Sequence, residues 1–335
     1  MPSWGEILRE VQESAQARGG SPDFDGIRRR YLAELNALTQ RNVILYATDW
    51  FNKPSPAASI NLEDMQGMME VCRGLEGPNL DVILHSPGGS AEATASIVRY
   101  LRRKFSNIRV FVPLAAMSAA TMWALAADGI LIGKHSQLGP IDPQLVTPQG
   151  QMPARAIIEQ FEKAKAQCAE NPAVVAAWFP MLQQYGPSLL EQCEKAEQLA
   201  KRLVTEWVEK YMFAGKRGSK AKAERVAGYF ADYQTHQSHS LGIDRDQARS
   251  VGVRVIDLEK DQALQDAVLS VYHATVHTFA GPCIKLVENH LGRAFAKMAQ
   301  QIVIPVAGPL PPGIGPPGGG PPGAASPIVV PTVIP

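Results

Sequence analysis

Two short segments hold the residue types that covalent catalysis needs: Leu84–Ser90, read LHSPGGS, and Met117–Thr121, read MSAAT. An apolar run, Val82, Ile83 and Leu84, reads as a buried strand that delivers the backbone into His85, Ser86, Pro87, Gly88 and Gly89. Adjacent glycines there can turn their amides outward, which is what stabilising an oxyanion requires. In the second segment Val110–Pro113 reads as another strand, and Ser118 falls at the turn into an apolar helix of small residues. A serine at a helix mouth has unpaired amides and the positive dipole end beside it, and both favour the anion formed as its hydroxyl attacks a carbonyl. The amide of Ala119 is the expected partner of the Gly89 amide. Taken singly, Pro-Gly-Gly fits an ordinary turn and a serine among alanines fits helix packing. Their order is strand, Gly-Gly turn, helix, strand, Ser turn, helix. It puts both turns at strand C-termini, where open α/β sheets carry their sites.

These segments, with Arg109–Pro113 (RVFVP), Ala116–Thr121 (AMSAAT) and Gly133–Gln144 (GKHSQLGPIDPQ), carry a family resemblance. Together with Arg41–Tyr46 upstream and Glu288–Gly292 downstream, the chain resembles the serine dehydrogenase proteinase family over roughly residues 27 to 297. These are prokaryotic serine peptidases related to signal peptide peptidase A and to the Clp protease. The Met-Ser and Leu-Gly-Pro-Ile-Asp-Pro-Gln blocks are specific, whereas Pro-Gly-Gly alone also fits crotonase-type acyl-CoA enzymes. Nothing supports dehydrogenation: no G-x-G-x-x-G with a following acidic residue is present for a dinucleotide, and no lysine motif suggests pyridoxal phosphate. The resemblance implies an α/β fold, a crotonase/Clp-protease-like βα superhelix. It implies a serine peptidase with Ser118 as nucleophile and a Gly88-Gly89 turn whose Gly89 amide joins that of Ala119 at the oxyanion. It also implies a peptide or protein substrate, a homo-oligomer and no cofactor.

A serine hydroxyl needs a neighbour to take its proton, and related peptidases use either a lysine or a His-Asp pair. The lysine of archaeal signal-peptide-peptidase relatives corresponds here to the neighbourhood of Met152–Arg155, where Arg155 stands instead. Arginine stays protonated and cannot be the base, although it can bind a substrate carboxylate. The nearest lysines, Lys163 and Lys165, lie on a helical run. The Clp protease pattern places its histidine where this chain has Asp142, and its aspartate near Ser238–Leu241, a window that holds His239. Exchanged positions, with His239 as base and Asp142 orienting it, preserve the roles while altering chain order. Both routes stay open, since Asp142 before Pro143 also fits a loop cap and His239 a surface loop. His85, beside the oxyanion turn, is either a substrate contact or hydrogen-bonded packing. His236 and His239 form an H-x-x-H pair, but the loop context and the lack of a third ligand argue against a metal. His273, His277 and His290 fall on helical runs and read as structural.

A chain of 335 residues is long enough for one enlarged α/β domain with additions. A net charge of +1 gives no global attraction to nucleic acid or to a membrane. The basic clusters Arg28–Arg30 and Lys216, Arg217, Lys220 and Lys222 read as solvated helix faces. Four scattered cysteines without C-x-x-C spacing fit reduced thiols, and the charged N-terminus lacks a secretory pattern, so a cytoplasmic location is expected. Val110–Ala127 is apolar enough to suggest a membrane span, but Pro113 and a serine-bearing middle fit a buried strand and core helix better.

Residues 1–40 are expected to form a helical N-terminal extension, with a capping box at Ser3 and Glu6 and a break near Gly19–Pro22. The peptidase domain is expected over 41–300, with a helical insertion at about 155–215 and a closing helical segment to about Gln301. Residues 301–335, rich in Pro and Gly, read as a disordered or polyproline-like tail, and a partner with an aromatic-lined groove is the kind it would fit. Besides the peptidase, two other classes fit: an acyl-CoA enzyme using Gly88-Gly89 to hold an enolate, and a non-catalytic oligomeric scaffold that kept the fold.

Overall fold

A computed structural model describes residues 3–147 and 150–299 of the protein; the Pro/Gly-rich tail expected over 301–335 lies outside the described residues. Helix α1 (Trp4–Ala17) opens on a capping box in which the Ser3 side chain accepts from the Glu6 amide and the Glu6 carboxylate from the Ser3 amide. After the Gly19-Gly20 break, Asp23 caps α2 (Phe24–Thr39). The βα units follow: β1 (Asn42–Thr48), α3 (Asp64–Cys72), β2 (Asn79–His85), α4 (Ala91–Lys104), β3 (Asn107–Val112), β4 (Ala115–Ala116), α5 (Ala119–Leu125) and β5 (Gly129–Ile132). Short strand β6 (Gln137–Leu138) and the hairpin β7 (Gln144–Thr147) and β8 (Gly150–Pro153) lead into α6 (Ala154–Glu170), α7 (Val175–Leu182) and α8 (Leu189–Trp207). The chain continues through α9 (Ser219–Ala231), α10 (Tyr233–His236), α11 (Arg245–Ser250), β9 (Val255–Asp257), α12 (Gln262–Thr278), β10 (Cys283–Asn289) and β11 (Ala294–Met298).

The main sheet runs β11-β10-β1-β2-β3-β5-β9, parallel from β1 to β9, with β10 antiparallel to β1 and β11 antiparallel to β10. Successive side chains of a strand point to opposite faces, so the central strands feed two cores. Ile44, Tyr46, Val82, Leu84, Val110 and Val112 pack with residues of α3, α4, α5, α8 and α9. Val43, Leu45, Ile83, Phe111 and Leu131 pack with residues of α1, α2 and α12. Strands buried on both faces read as near-continuous apolar runs, which is why they are visible in the sequence.

The end of the domain differs from expectation. In place of helix to about Gln301, the residues after α12 form β10 and β11. Gly281 and Pro282 stop α12, and Gly292, at φ 80°, turns the chain between the two strands. Lys285 and Glu288 are fully buried in β10, and two charges in a seven-residue core strand hide its strand character. His290, expected on a helical run, therefore sits in this turn, its ring against the Val43 backbone. Expected on a solvated helix face, Arg28 is buried, only 1% exposed. Its Nε donates to Glu288 Oε2 at 2.5 Å and its Nη1 to Thr278 Oγ1 at 2.7 Å, tying α2 to α12 and β10. Arg29 reaches the other Glu288 oxygen at 2.7 Å.

From Ala154 to Trp207 the chain is largely helical (α6, α7 and α8), interrupted at Asn171-Pro172 and at Gly186-Pro187. Of its aromatic residues Trp207 is buried in the main core and Tyr211 packs on its edge, while Phe179 of α7 is exposed. No helix among the described residues is long and apolar enough to cross a membrane, and Val110–Ala127 is the buried strand β3, the short β4 and the core helix α5.

Removing one member of a buried ion pair strands the other charge, which costs about 3–5 kcal/mol. Arg28→Ala is therefore expected to lower unfolding free energy by that amount in urea titrations, whereas Arg30→Ala, at a half-exposed position, shifts it by less than about 1 kcal/mol. Equal losses in the two variants would contradict the Arg28 assignment.

Candidate active site

The glycine turn and the serine turn are brought together by backbone pairing. Past the end of β2, the Ser86 amide donates to Ala115 O at 3.1 Å and the Met117 amide to Ser86 O at 2.9 Å. This pairing stacks Gly88 directly on the serine turn: a Cβ on Gly88 would lie 2.5 Å from Met117 O and 2.8 Å from both Ala119 N and Ser118 Cβ. On the other side, the Ile60 amide donates to Gly88 O at 2.7 Å and the Ser90 amide to Ile60 O at 2.9 Å, and a Cβ on Gly89 would lie 2.3 Å from Ile60 O. Gly88 and Gly89 have φ of 96° and 148°, so both glycines are required for conformation as well as for space.

Ser118 immediately precedes α5 with φ 51° and ψ −121°, a conformation that non-glycine residues rarely adopt. The amides of Gly89 and Ala119 find no acceptor among the described residues, while that of Gly88 is taken by Ser86 Oγ at 3.2 Å. Thr121 anchors the start of α5: its Oγ1 donates to Ala116 O at 2.7 Å and accepts the Gly139 amide at 2.9 Å.

The Gly139–Gln144 block follows, held by an Ile141 amide bond to Phe230 O at 2.8 Å and by the Leu138–Ile243 bridge. It carries Asp142, 2% exposed, whose Oδ1 lies 2.7 Å from His239 Nδ1 and whose Oδ2 accepts from Gln144 Nε2 at 2.8 Å. A carboxylate only accepts, so the imidazole proton sits on Nδ1 and leaves Nε2 as the basic nitrogen.

Ser118, Ala119, Gly88, Gly89 and His239 line one cleft of about 470 Å³. Its lining is mixed: Met122, Ile141, Leu145 of the β7–β8 hairpin and Leu199 and Ala200 of α8 are apolar, while Glu92, Gln144 and Gln151 are polar. Helix α8 of the insertion is thus a wall of the cleft.

Other expected candidates lie elsewhere. His85 does not line the cleft; it is 3% exposed, its Nδ1 is 3.1 Å from Ala115 O, and it packs among Trp50, Phe51 and Tyr272. Side chains alternate along β2, so His85 points to the face of Ile83, into the core that α12 covers. Burial pulls its pKa down to about 4 against the raising effects of the Ala115 carbonyl and of Asp49. Arg155 is paired with Glu197, Nε to Oε1 at 3.1 Å, on the wall of a neighbouring cavity of about 410 Å³. Lys163 and Lys165 are exposed on α6, and neither lines the cleft. His236 is buried in α10 against Tyr229 O, and no group of three or more metal-ligating side chains occurs among the described residues. Sequence reasoning missed Ile60 and Gln144. Gln144 had a signal, two residues past Asp142, while Ile60 had none, because its role is carried by backbone atoms.

A family model of ClpP-like SDH-type serine proteinases matches residues 58–255, more than half of the chain and all of the cleft residues named above. The chain belongs to that family. Among curated proteins, this family member is similar to two uncharacterized proteins of Methanocaldococcus jannaschii. MJ0137 is 34% identical over 45% of this chain and 55% of its own length, and MJ1495 is 30% identical over 45% and 54%. The chain thus spans about half the length of these relatives. Among solved structures, the 1510-N membrane-bound stomatin-specific protease, in a mutant form, overlaps 52% of this chain and 62% of its own at 17% identity, with a TM-score of 0.30. The mostly parallel sheet with its helical layers agrees with the expected Clp-protease-like fold.

Two measurements bear on the geometry of this family member. Strain at Ser118 is released by a residue that accepts positive φ, so Ser118→Gly is expected to raise unfolding free energy by about 1 kcal/mol, whereas Ser118→Ala leaves the strain in place. A glycine variant less stable than the alanine variant would refute it. For His85, the folded pKa lies below the unfolded one of about 6.5, so the unfolded chain binds the extra proton between the two values. Stability is therefore lost as pH falls from about 6.5 to 4, by up to about 3 kcal/mol from this residue. In His85→Gln the pH dependence of unfolding across that window should flatten by a similar amount; an unchanged slope would rule His85 out as its source.

Proposed function

We propose that this chain hydrolyses peptide bonds through a Ser118 acyl-enzyme. The observation that carries the reading is the 2.7 Å contact of His239 Nδ1 with Asp142 Oδ1, in a cleft that His239 shares with Ser118. Asp142 fixes the tautomer and ring orientation of His239, whose Nε2 accepts the Ser118 hydroxyl proton as Oγ attacks the substrate carbonyl carbon. The oxygen of that carbonyl becomes an oxyanion, received by the amides of Gly89 and Ala119, which have no internal acceptor to give up. Collapse of the tetrahedral intermediate breaks the C–N bond, and His239 returns its proton to the leaving amine. Water, deprotonated by His239, then attacks the ester and Ser118 regains its proton.

The arginine at position 155, taken up by Glu197, and the exposure of Lys163 and Lys165 leave the His-Asp route as the better supported one. A peptide substrate suits a cleft of about 470 Å³ lined by both apolar and polar side chains. The acyl-CoA alternative requires a thioester to be held at the same glycine turn, yet it gives no role to a buried aspartate bonded to a histidine.

Fluorophosphonate labelling tests the reading. The wild-type protein is expected to be labelled at Ser118, Ser118→Ala to be unlabelled, and His239→Ala and Asp142→Asn to be labelled about 10²- to 10⁴-fold more slowly with folding retained. Coenzyme A should not shift the melting temperature. Wild-type rates in His239→Ala would remove the histidine from the mechanism, and protection by coenzyme A would favour the acyl-CoA enzyme.

A further inference from the structure

A buried charge cluster stands one residue away from the strip that holds the glycine turn. Lys285 of β10 and Asp64 of α3 are both fully buried, with Nζ 2.7 and 2.8 Å from the two carboxylate oxygens. The same ammonium donates to the carbonyl of Ser59 at 2.7 Å. Asp64 Oδ2 in turn accepts the Asn61 amide at 3.0 Å and the Tyr46 hydroxyl at 2.8 Å. The residues on either side of Ile60 are therefore both bonded to one ion pair, and Ile60 itself makes the two backbone bonds that clasp Gly88 and Ser90.

A buried ion pair is weak support for stability, because desolvation offsets most of its attraction. Here it satisfies a main-chain carbonyl and a main-chain amide that apolar side chains of the same size would leave unpaired. Its consequence is local: the segment 59–61 cannot slide or rotate without breaking bonds to a fixed charge. Since a Cβ on Gly89 would already lie 2.3 Å from Ile60 O, that segment also limits where the Gly89 peptide can go.

We propose that Lys285 and Asp64 are positioning residues of the site: through Ser59–Asn61 they hold the Gly89 amide aimed at the developing oxyanion. This rests on the peptidase reading. A donor displaced by about an ångström loses on the order of a hundredfold in rate while leaving ground-state binding intact.

Lys285→Met alone strands the Asp64 charge and is expected to melt lower, so the decisive variant is the double replacement Lys285→Met with Asp64→Asn, which removes both charges at similar volume. Two readouts are taken on the full-length chain: fluorophosphonate acylation of Ser118 against probe concentration, and amide hydrogen exchange at Ile60 and Ser90. In the double variant the limiting acylation rate should fall at least about tenfold, with the half-saturating probe concentration unchanged. Exchange at the two amides should accelerate while the β2 and β3 amides stay protected. A folded double variant with wild-type acylation and wild-type exchange overturns the inference and leaves the peptidase reading untouched. Accelerated exchange with wild-type acylation also overturns it, since the cluster would then be structural only. Failure of the wild-type protein itself to acylate removes the peptidase reading, and the inference with it.

Discussion

The contact on which the site depends is the stacking of the Gly88 backbone against Met117–Ala119. Nothing larger than a hydrogen fits at Gly88, where an added carbon would lie 2.5 Å from a carbonyl oxygen. Because β2 and β3 are parallel neighbours, both chains leave the sheet at the same edge, and the Ser86 and Met117 backbone bonds carry the pairing beyond the strands. Gly89 and Ala119, which would otherwise be distant, thus both line one cleft. The rest of the fold fixes this approach from the outside: Ile60 on one side of the turn, Thr121 and Gly139 on the other.

The second half of the site arrives by a different route. Asp142 is delivered by a loop tied to the start of α5 through Thr121 and to α9 through Phe230, whereas His239 comes from a loop beyond α10. In the proposed mechanism the order along the chain, serine, aspartate, histidine, differs from the Clp protease order, and a chemistry defined by geometry rather than sequence order tolerates that exchange. Helix α8 contributes Ala196, Leu199 and Ala200 to the lining of the same cleft.

What the sequence disclosed, and what it withheld, divides along physical lines. The strand runs, the capping box at Ser3 and Glu6, the break at Gly19-Gly20, and the Gly88, Gly89 and Ser118 turns were legible, because each depends on local pattern or on a residue type with a special conformation. The pairing of His239 with Asp142 was open in the sequence, for 97 residues separate them and only tertiary contacts bring them to 2.7 Å. β10 does not look like a strand in the sequence, because its buried Lys285 and Glu288 are satisfied by partners far away in the chain, Asp64 and Arg28. The burial of Arg28 is hidden for the same reason, since three consecutive arginines look solvated until one of them pairs with a buried carboxylate. The His85 position was legible as an address but not as a face, because alternation along β2 decides whether it points to the cleft or to the opposite core.

The backbone of Ser118 explains why α5 is built as it is. A non-glycine residue at φ 51° costs about 1–3 kcal/mol, and a seven-residue helix is too short to offset that by its own hydrogen bonding. All seven residues of α5 are buried, however, and burial of Met122, Trp123 and Leu125 contributes roughly 1.5–3 kcal/mol each. Packing therefore outweighs the local strain and holds the serine hydroxyl at the mouth of the helix rather than along its side. The same argument accounts for the small residues around it: Ala115, Ala116, Ala119 and Ala120 let the helix approach β2 and the glycine turn closely enough for packing to win. A larger side chain at Ala119 or Ala120 would push α5 outward, and the serine would then relax toward ordinary helical geometry, away from the amide of Gly89.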